Sequence, residues 1–259
     1  MDDILKANRD FMKGYTVGDF DDPKKDFNSS DQKKGINPPP LQKEYDQQNV
    51  RIISLPNFDE TILSEPNIMT LIKQRRSRRH YTGKPLSLGE LSYLLWATQG
   101  MARVYNDGIG SIRTVPSAGA RHPYETYLVI NHVENLDSGV YRYLHLTHEL
   151  LFLFHRPTIQ EEMCKAIYNG TFVANAPVCF IWSCIPYRSE WRYKSQAHKT
   201  MLLDAGHICQ NLYLAAESIG CGTCAIGGYY QQGIDELLGL DGEDEFVVYL
   251  APVGKIKAA

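Results

Sequence analysis

Several features that would assign a chain to a membrane, an export route or a nucleic acid are missing from this sequence. No apolar run approaches the ~20 residues that a membrane-spanning helix needs. The start of the chain, Met-Asp-Asp-Ile-Leu-Lys, has no apolar stretch of the kind found in secretory signals. The net charge of −3 shows no excess of basic residues. We therefore expect a cytoplasmic protein with neither a membrane nor a nucleic acid as its partner.

Two binding motifs are also missing. No Gly-x-Gly-x-x-Gly lies between a strand and a helix, which excludes a Rossmann site, so a nicotinamide donor would come and go as a substrate. Cys221-Gly-Thr-Cys224 has no second ligand pair for zinc, and it follows a long helix where a thioredoxin-like motif would open one. We expect no metal, and we interpret these cysteines as small residues in a buried turn and strand. The sequence contains no internal repeat.

The composition is typical of a globular protein. The chain has 259 residues, of which 43% are hydrophobic and 22% are charged, enough for one sizeable core. Residues 1–50 are polar, include Asn37-Pro-Pro-Pro40 and show no persistent period, so we predict an N-terminal arm there. Residues 51–259 form the predicted folded domain.

The hydrophobic pattern predicts strands and helices in alternation. β-branched, aromatic and apolar runs predict strands at 125–131, 140–144, 151–154, 177–183 and 246–253, with a short one at 52–55. Short connections favour antiparallel pairing. Helices are predicted to start at Ser64, at a capping box Ser87-x-x-Glu90 and at a second capping box from Thr158. A deeply buried helix follows from Leu202 to Gly220. The pattern indicates an α+β domain.

A basic cluster, Gln74-Arg-Arg-Ser-Arg-Arg-His80, falls at the end of the first of these helices. Cations at a helix C-terminus suit the macrodipole. Four arginines in five residues exceed that need, and their mutual repulsion favours a bound anion. A nucleic-acid patch is the alternative, which one short run supports weakly.

A loop of small residues, 116–123, is bounded by two prolines. Ala118, Gly119 and Ala120 have almost no side chain, so their backbone can lie flat against a large ligand. An ordinary turn punctuated by proline and glycine is the alternative interpretation.

Together these segments resemble the flavin-binding signature of the nitroreductase family. The run Pro-Ser-Ala-Gly-Ala-Arg-His-Pro-Tyr-Glu is closest to one branch, the SagB-type dehydrogenases, which oxidise azoline rings in modified peptides. The resemblance covers roughly residues 55–254. It implies a nitroreductase-like fold with a central, mostly antiparallel sheet flanked by helices. It also implies an obligate homodimer with FMN at the subunit interface.

The resemblance assigns a role to each matched position. Phosphate and ring contacts fall to Arg75, Arg76, Ser77 and Arg79. The loop beneath the isoalloxazine corresponds to Pro116, Ser117, Ala118, Gly119 and Ala120. Backbone donors near the flavin N5 edge correspond to Ile226, Gly227 and Gly228. Many members of the family hold the phosphate with a lysine or arginine beyond the last strand. Here Lys255 or Lys257 is the candidate for that role, and a solvated tail is the alternative interpretation for both.

The predicted catalytic pair departs from the SagB-type pattern. That branch carries a Lys-Tyr pair as acid–base catalyst, where this chain has Arg192 and Tyr193. Arg192 is always protonated and cannot act as a general base, so we expect it to anchor substrate. We interpret His207 as a hydrogen-bonded structural residue of a helix.

Three functions are carried forward. The first is an FMN-dependent oxidoreductase that transfers hydride to or from a small conjugated or electron-poor substrate. The second is a SagB-type dehydrogenase acting on azoline heterocycles of a peptide. The third, from a different class, is a flavin- or nucleic-acid-binding module without turnover.

Overall fold

The computed structural model describes residues 3–13, 29–105, 108–168 and 170–257. The strands of this part of the chain are β1 (Arg51–Ser54), β2 (Met101–Tyr105), β3 (Gly110–Arg113), β4 (Tyr124–Ile130), β5 (Gly139–Leu144), β6 (Glu149–Phe154), β7 (Val178–Cys184), β8 (Cys221–Thr223) and β9 (Phe246–Lys255). Seven of them form one sheet in the order β1-β6-β5-β4-β7-β9-β8, and every neighbouring pair is antiparallel. β2 and β3 form a separate hairpin. The predicted antiparallel α+β fold is confirmed.

Helices cover the sheet on both faces. The described residues form the helices α1 (Asp3–Lys13), α2 (Ile68–Gln74), α3 (Leu88–Gln99), α4 (Ile159–Ala166), α5 (Thr171–Ala174), α6 (Tyr187–Tyr193), α7 (Ala197–Ser218) and α8 (Gln231–Leu238). α1 has no buried residue. Short 3-10 turns add Glu60–Ile62, Ala118–Ala120 and Lys194–Gln196. Among the described residues, no helix combines the length and the apolar character needed to cross a bilayer.

The central strands β4 and β7 separate two hydrophobic cores, one on each face of the sheet. Leu128 and Phe180 point into a core shared with α3 and α7. Val129 and Ile181 point into a second core shared with α4 and α8. Successive side chains of a strand alternate between faces, and both faces are covered here, so each strand is buried along its whole length. This explains why β7 is apolar nearly throughout; β4 is mostly apolar and also contains Glu125 and Thr126.

The predicted helix start at Ser87 is confirmed. The Ser87 hydroxyl accepts the Glu90 amide at 3.1 Å and the Glu90 carboxylate accepts the Ser87 amide at 2.9 Å, which is a complete capping box. The second capping box is wrong, because Thr158 makes no cap bond and its hydroxyl donates to Glu162 at 2.6 Å. The helix that it was to begin does form, as α4.

The other predicted helix start lies a few residues too early. α2 begins at Ile68, where the Asn67 side chain accepts the amides of Met69 and Thr70. The Ser64 hydroxyl instead donates to the Ser218 carbonyl at 3.0 Å. A side-chain acceptor one residue before the first turn decides where the helix begins, and Asn67 occupies that position.

The long helix α7 is less buried than its apolar residues suggest. Its prediction as a deeply buried helix is wrong for Leu202 and Leu203, which are 51% and 55% exposed. They share an exposed stripe with Gly206 and His207, on the side of α7 turned away from the sheet. The opposite side, with Ala205, Ile208 and Leu212, packs into the first core. His207 therefore lies at the surface of the chain.

The N-terminal region contains a helix that the sequence pattern did not predict. α1 carries its apolar side chains exposed on one side, as Ile4, Leu5, Phe11 and Met12. Residues 14–28 of the predicted arm lie outside the described part. Residues 29–50 are tied to the body: the Gln32 amide donates to the Trp191 carbonyl at 3.0 Å and the Lys43 amide donates to the Glu125 carboxylate at 2.7 Å. The boundary of the arm at residue 50 stays a prediction.

Candidate functional site

The arginine cluster leaves α2 in an extended conformation, so its side chains alternate in direction. The Arg75 guanidinium lies over the Tyr213 ring, 5.1 Å from its centre. The Ser77 hydroxyl is 3.0 Å from the Tyr213 hydroxyl. The Arg79 guanidinium lies 6.0 Å from the centre of the Phe172 ring. Every second residue of the cluster thus meets an aromatic side chain of the domain.

The two intervening arginines have other contacts. Arg76 donates to the carbonyls of Lys73 and Arg75 at 2.9 and 2.8 Å, at the end of its own helix. Arg78 pairs with the Glu217 carboxylate at 3.1 Å. For Arg76 the contacts are those of a cation at a helix C-terminus. The predicted ligand role of Arg76 stays a prediction.

Tyr213 joins the cationic segment to the glycine turn. Its hydroxyl accepts the Ala225 amide at 2.9 Å on one side and contacts Ser77 on the other. Ser77 also forms a parallel bridge with Thr223, and the Arg78 amide donates to the Thr223 carbonyl at 2.8 Å. Segments 75–79 and 223–228, nearly 150 residues apart in sequence, therefore lie side by side.

The glycine turn offers two exposed backbone donors. Ile226 exchanges both of its backbone bonds with Leu250, at 2.8 and 3.2 Å, so its amide is already engaged by the sheet. Gly227 and Gly228 are exposed, and neither amide has a hydrogen-bond partner within the residues that the structure describes. A Cβ at Gly227 or Gly228 would approach other heavy atoms no closer than 3.9 and 3.8 Å. A side chain at either position would therefore meet its neighbours only at ordinary van der Waals distance.

A cavity of about 360 Å³ adjoins the cluster, lined by Ser77, Arg79, Tyr81 and Lys257 among others. A larger neighbour of about 740 Å³ shares Lys257 and lies on the other side of the extended segment. The predicted phosphate ligand Lys255 is engaged elsewhere: its ammonium contacts the Glu90 carboxylate and donates to the Ile219 carbonyl at 3.3 Å. Of the two C-terminal lysines, Lys257 is the one that faces the cavities.

The small-residue loop is fixed by a buried carboxylate. The Ser117 hydroxyl and the Ala118 amide donate to Asp204 of α7, at 2.6 and 3.2 Å. Ser117 in turn accepts the His122 amide at 2.9 Å. Burial raises the pKa of Asp204, while the bonds from Ser117 and Ala118 oppose that shift.

The loop meets the predicted catalytic pair at Gly119. A Cβ added to Gly119 would collide with the Tyr193 hydroxyl and would lie 2.9 Å from the Arg192 Cδ. The Arg192 guanidinium donates to the Gln32 side chain at 2.9 Å and lies 5.4 Å from the centre of the Tyr193 ring. Gly119, Arg192 and Tyr193 form what we call the α6 corner.

The helix α7 sets the distance between these two groups of residues. Asp204 holds the loop, and Tyr213, nine residues later, holds the cationic segment and the glycine turn. A rise of 1.5 Å per residue places these two points about 13 Å apart along the helix. A single chain thus brings segments 75–79 and 226–228 together at Tyr213. The loop 116–120 lies at Asp204, about 13 Å away along α7.

Four residues of the site were not predicted from the sequence. Tyr213 and Asp204 are polar side chains within a helical pattern, and nothing in their spacing marks them out. Phe172 and Gln32 come from a short helix and from the arm, far from the motifs in sequence. A carboxylate inside a largely apolar helix is the one signal that could have been followed, because a buried charge needs a partner.

The cysteine pair is buried. Cys221 lies in β8 and Cys224 just after it, with 0% and 2% exposure. Burial raises the pKa of Cys221 to about 12 and also raises that of Cys224, so both thiols are neutral at physiological pH. No cluster of three or more metal-ligating side chains occurs in the described ranges. The predicted buried turn and strand are confirmed.

Comparisons with known proteins agree with this architecture. The model of the Nitroreductase family matches residues 72–255. A Methanocaldococcus jannaschii protein, MJ1384, named as a nitroreductase, is 34% identical over 203 residues, which span 78% of this chain and 96% of the relative. The crystal structure of a Ralstonia eutropha protein, also named as a nitroreductase, superposes with a TM-score of 0.65 at 25% identity, over 85% of this chain and 99% of that one.

A further relative is the trifolitoxin-processing protein TfxB of Rhizobium leguminosarum bv. trifolii. It is 30% identical over 146 residues, which span 53% of this chain and 38% of TfxB. The match therefore concerns less than half of TfxB. The family model, however, spans most of this chain, and with the antiparallel sheet and the matched segments it settles the relationship. This chain belongs to the nitroreductase family.

Proposed function

We propose that this protein is an FMN-dependent oxidoreductase that transfers hydride to or from a small conjugated or electron-poor substrate. When bound, FMN supplies the redox chemistry, since its ring accepts and releases hydride at N5. The observation that carries the proposal is that Arg75 and Ser77 contact Tyr213, whose hydroxyl also accepts the amide of Ala225, two residues before Gly227.

The residues present fit the needs of this group. A phosphate needs cations or backbone N–H groups. Arg75 and Arg79 form no ion pair with a carboxylate in the described part of the chain, and Lys257 faces the adjoining cavities. The cavity of about 360 Å³ lies within the usual size range of small-molecule sites, roughly 300–1,000 Å³. The Gly227 and Gly228 amides supply neutral donors, and neither has a partner among the described residues.

Each side chain has a task that follows from its chemistry. A guanidinium near the pyrimidine end of the ring favours the reduced, negatively charged form, and Arg75 or Arg79 can serve there. Tyr213 holds the cationic segment and the glycine turn at a fixed separation through its two hydroxyl contacts. NADH or NADPH would enter as a substrate.

We further propose a homodimer in which the loop at Gly119 closes the site of the partner copy. The loop lies about 13 Å along α7 from Tyr213 by helical rise, so one chain alone leaves the site open on that side. Large apolar side chains are exposed on α2 and α7: Ile68, Met69, Ile72, Leu202 and Leu203. Exposed apolar residues gathered on two helices are typical of an interface.

The test is the visible spectrum of the purified protein after incubation with FMN and removal of the excess. The expected result is a stoichiometric flavin band that bleaches under anaerobic conditions with NADH or NADPH, each added separately. A protein that stays colourless would refute the proposal. A flavin that binds and cannot be reduced by any donor would favour a binding module without turnover. Light scattering on the same sample measures the mass of the assembly.

A second candidate function is supported by the α6 corner and by the TfxB relative, which is named as a trifolitoxin-processing protein. Dehydrogenation of an azoline ring on a peptide needs a proton acceptor beside the flavin. Tyr193 could move that proton, whereas Arg192 remains protonated and can only hold charge or substrate. Arg192→Lys restores an amine at this position. No gain of activity on azoline peptides in that variant would count against this function.

A further inference from the structure

Asp204 is a buried carboxylate that the proposed chemistry does not use. It is 5% exposed and lies in the middle of α7. Its partners are all in the loop: the Ser117 hydroxyl at 2.6 Å and the Ala118 amide at 3.2 and 3.3 Å from its two oxygens. A carboxylate is removed from water only at considerable cost, which makes a purely incidental placement unfavourable.

The loop that it holds is strained. Gly119, Ala120 and His122 have φ angles of 59°, 52° and 47°, and the last two are side-chain-bearing residues in the left-handed region. Such a conformation persists only where the surroundings fix it. The Ser117 hydroxyl makes two of the hydrogen bonds that hold the loop in this conformation. It donates to Asp204 and accepts the His122 amide at 2.9 Å.

The strained loop presents one amide outward. The Ala120 and Arg121 amides donate within the loop, at 2.9 and 3.3 Å, and the Ala118 amide is bound by Asp204. Gly119 is exposed, and its amide has no partner in the portion of the chain that is described. Its α-carbon lies against Tyr193 and Arg192.

We infer that Asp204 is a positioning residue: its carboxylate fixes Ser117 and Ala118 and thereby holds Gly119 against Tyr193 and Arg192. The inference deepens the proposed function and rests on it wherever turnover is concerned. Asp204 faces three other titratable groups, which are His207 on its own helix, Tyr124 on β4 and Cys184 on β7. Every hydrogen bond that the described residues make to the carboxylate comes from Ser117 or Ala118, so the loop is its principal partner.

The test compares Asp204→Asn with Asp235→Asn. Asp235 is the matched control, because it is also a buried helical aspartate that accepts a backbone amide, from Val247 at 2.7 Å, in the other core. Backbone hydrogen exchange of residues 114–123 should become at least tenfold faster in Asp204→Asn and stay unchanged in Asp235→Asn. The rate of Tyr193 nitration should rise in the same variant, because the loop no longer covers its hydroxyl.

Ser117→Ala serves as a milder second variant. It removes the hydroxyl that links Asp204 to His122 and keeps the buried carboxylate, and it should raise exchange in the same segment. In FMN-loaded protein, kcat for reduction of 4-nitrobenzoate by NADPH should fall at least tenfold in Asp204→Asn and stay within twofold in Asp235→Asn.

The outcomes separate the inference from the proposed function. Unchanged loop exchange in both Asp204→Asn and Ser117→Ala would overturn the inference, as would an unchanged kcat beside fully bound flavin. Neither the exchange nor the nitration measurement uses flavin. A wild-type protein that binds no FMN would therefore refute the proposed function alone.

Discussion

Replacing Gly119 by alanine tests the α6 corner most directly. The residue has φ 59° and ψ 19°, a left-handed conformation that costs an L-residue about 1–2 kcal/mol. The added Cβ also meets the Tyr193 hydroxyl and the Arg192 side chain, and such overpacking costs typically about 1–3 kcal/mol. Together these terms predict a loss of about 2–5 kcal/mol in the free energy of unfolding.

Gly239→Ala is the control that isolates the contact. Gly239 has φ 71° and ψ 32° at the end of α8, and no heavy atom lies within 4 Å of its added Cβ. It carries the backbone cost alone, about 1–2 kcal/mol. Urea denaturation of both variants followed by fluorescence gives the difference. If Gly119→Ala and Gly239→Ala agree within about 0.5 kcal/mol, no close contact exists at Gly119, and the placement of Tyr193 and Arg192 is wrong.

Three further predictions concern the arginines of residues 75–79, the Tyr213 hydroxyl and the Asp204 carboxylate. Arg75→Ala should weaken FMN binding about 10- to 150-fold, the loss expected for one charged hydrogen bond, whereas Arg76→Ala should change it less than about threefold; fluorescence titration measures both. Tyr213→Phe removes the hydroxyl that joins the two segments and should lower the free energy of unfolding by about 1–3 kcal/mol in urea. Burial raises the pKa of Asp204, so its ionised form destabilises the fold at neutral pH, and this penalty disappears as the pH falls through the raised pKa. Wild-type stability relative to Asp204→Asn should therefore rise on acidification.

Each of these predictions has an outcome that contradicts it. Equal losses of FMN affinity in Arg75→Ala and Arg76→Ala would mean that the different positions of these two side chains do not determine which of them contacts FMN. An unchanged midpoint in Tyr213→Phe would show that its hydroxyl bonds are replaced by water at no cost. A fall in wild-type stability relative to Asp204→Asn on acidification would mean that the loop bonds outweigh burial.

The sheet could be predicted from the sequence because strands that are covered on both faces are rich in apolar residues. β4 and β7 lie between two helical layers; β7 is a nearly continuous apolar run, and β4 is mostly apolar but also contains Glu125 and Thr126. The capping box at Ser87 is equally local, since both of its partners lie within four residues. The failures at Thr158 and Ser64 have different causes: the Thr158 hydroxyl donates to Glu162 and caps no backbone amide, whereas Asn67 supplies the cap three residues after Ser64.

The site was only partly predictable. The matched motifs located segments 75–79, 116–120 and 226–228, and the structure places the first and third side by side. What joins them is Tyr213, whose importance depends on contacts between residues more than 100 positions apart. The exposure of Leu202 could not be read from periodicity, because an apolar side chain at an interface and one in a core look alike in sequence.

The two anchor points on α7 constrain how this helix can change in length. A helix turns by about 100° per residue, so inserting or deleting one residue between Asp204 and Tyr213 would turn one of them away from its partners. Removing a whole turn would keep the directions and shorten the span by about 5 Å. The number of residues between Asp204 and Tyr213 is therefore fixed, because a one-residue insertion or deletion would separate one of the two segments from its anchor.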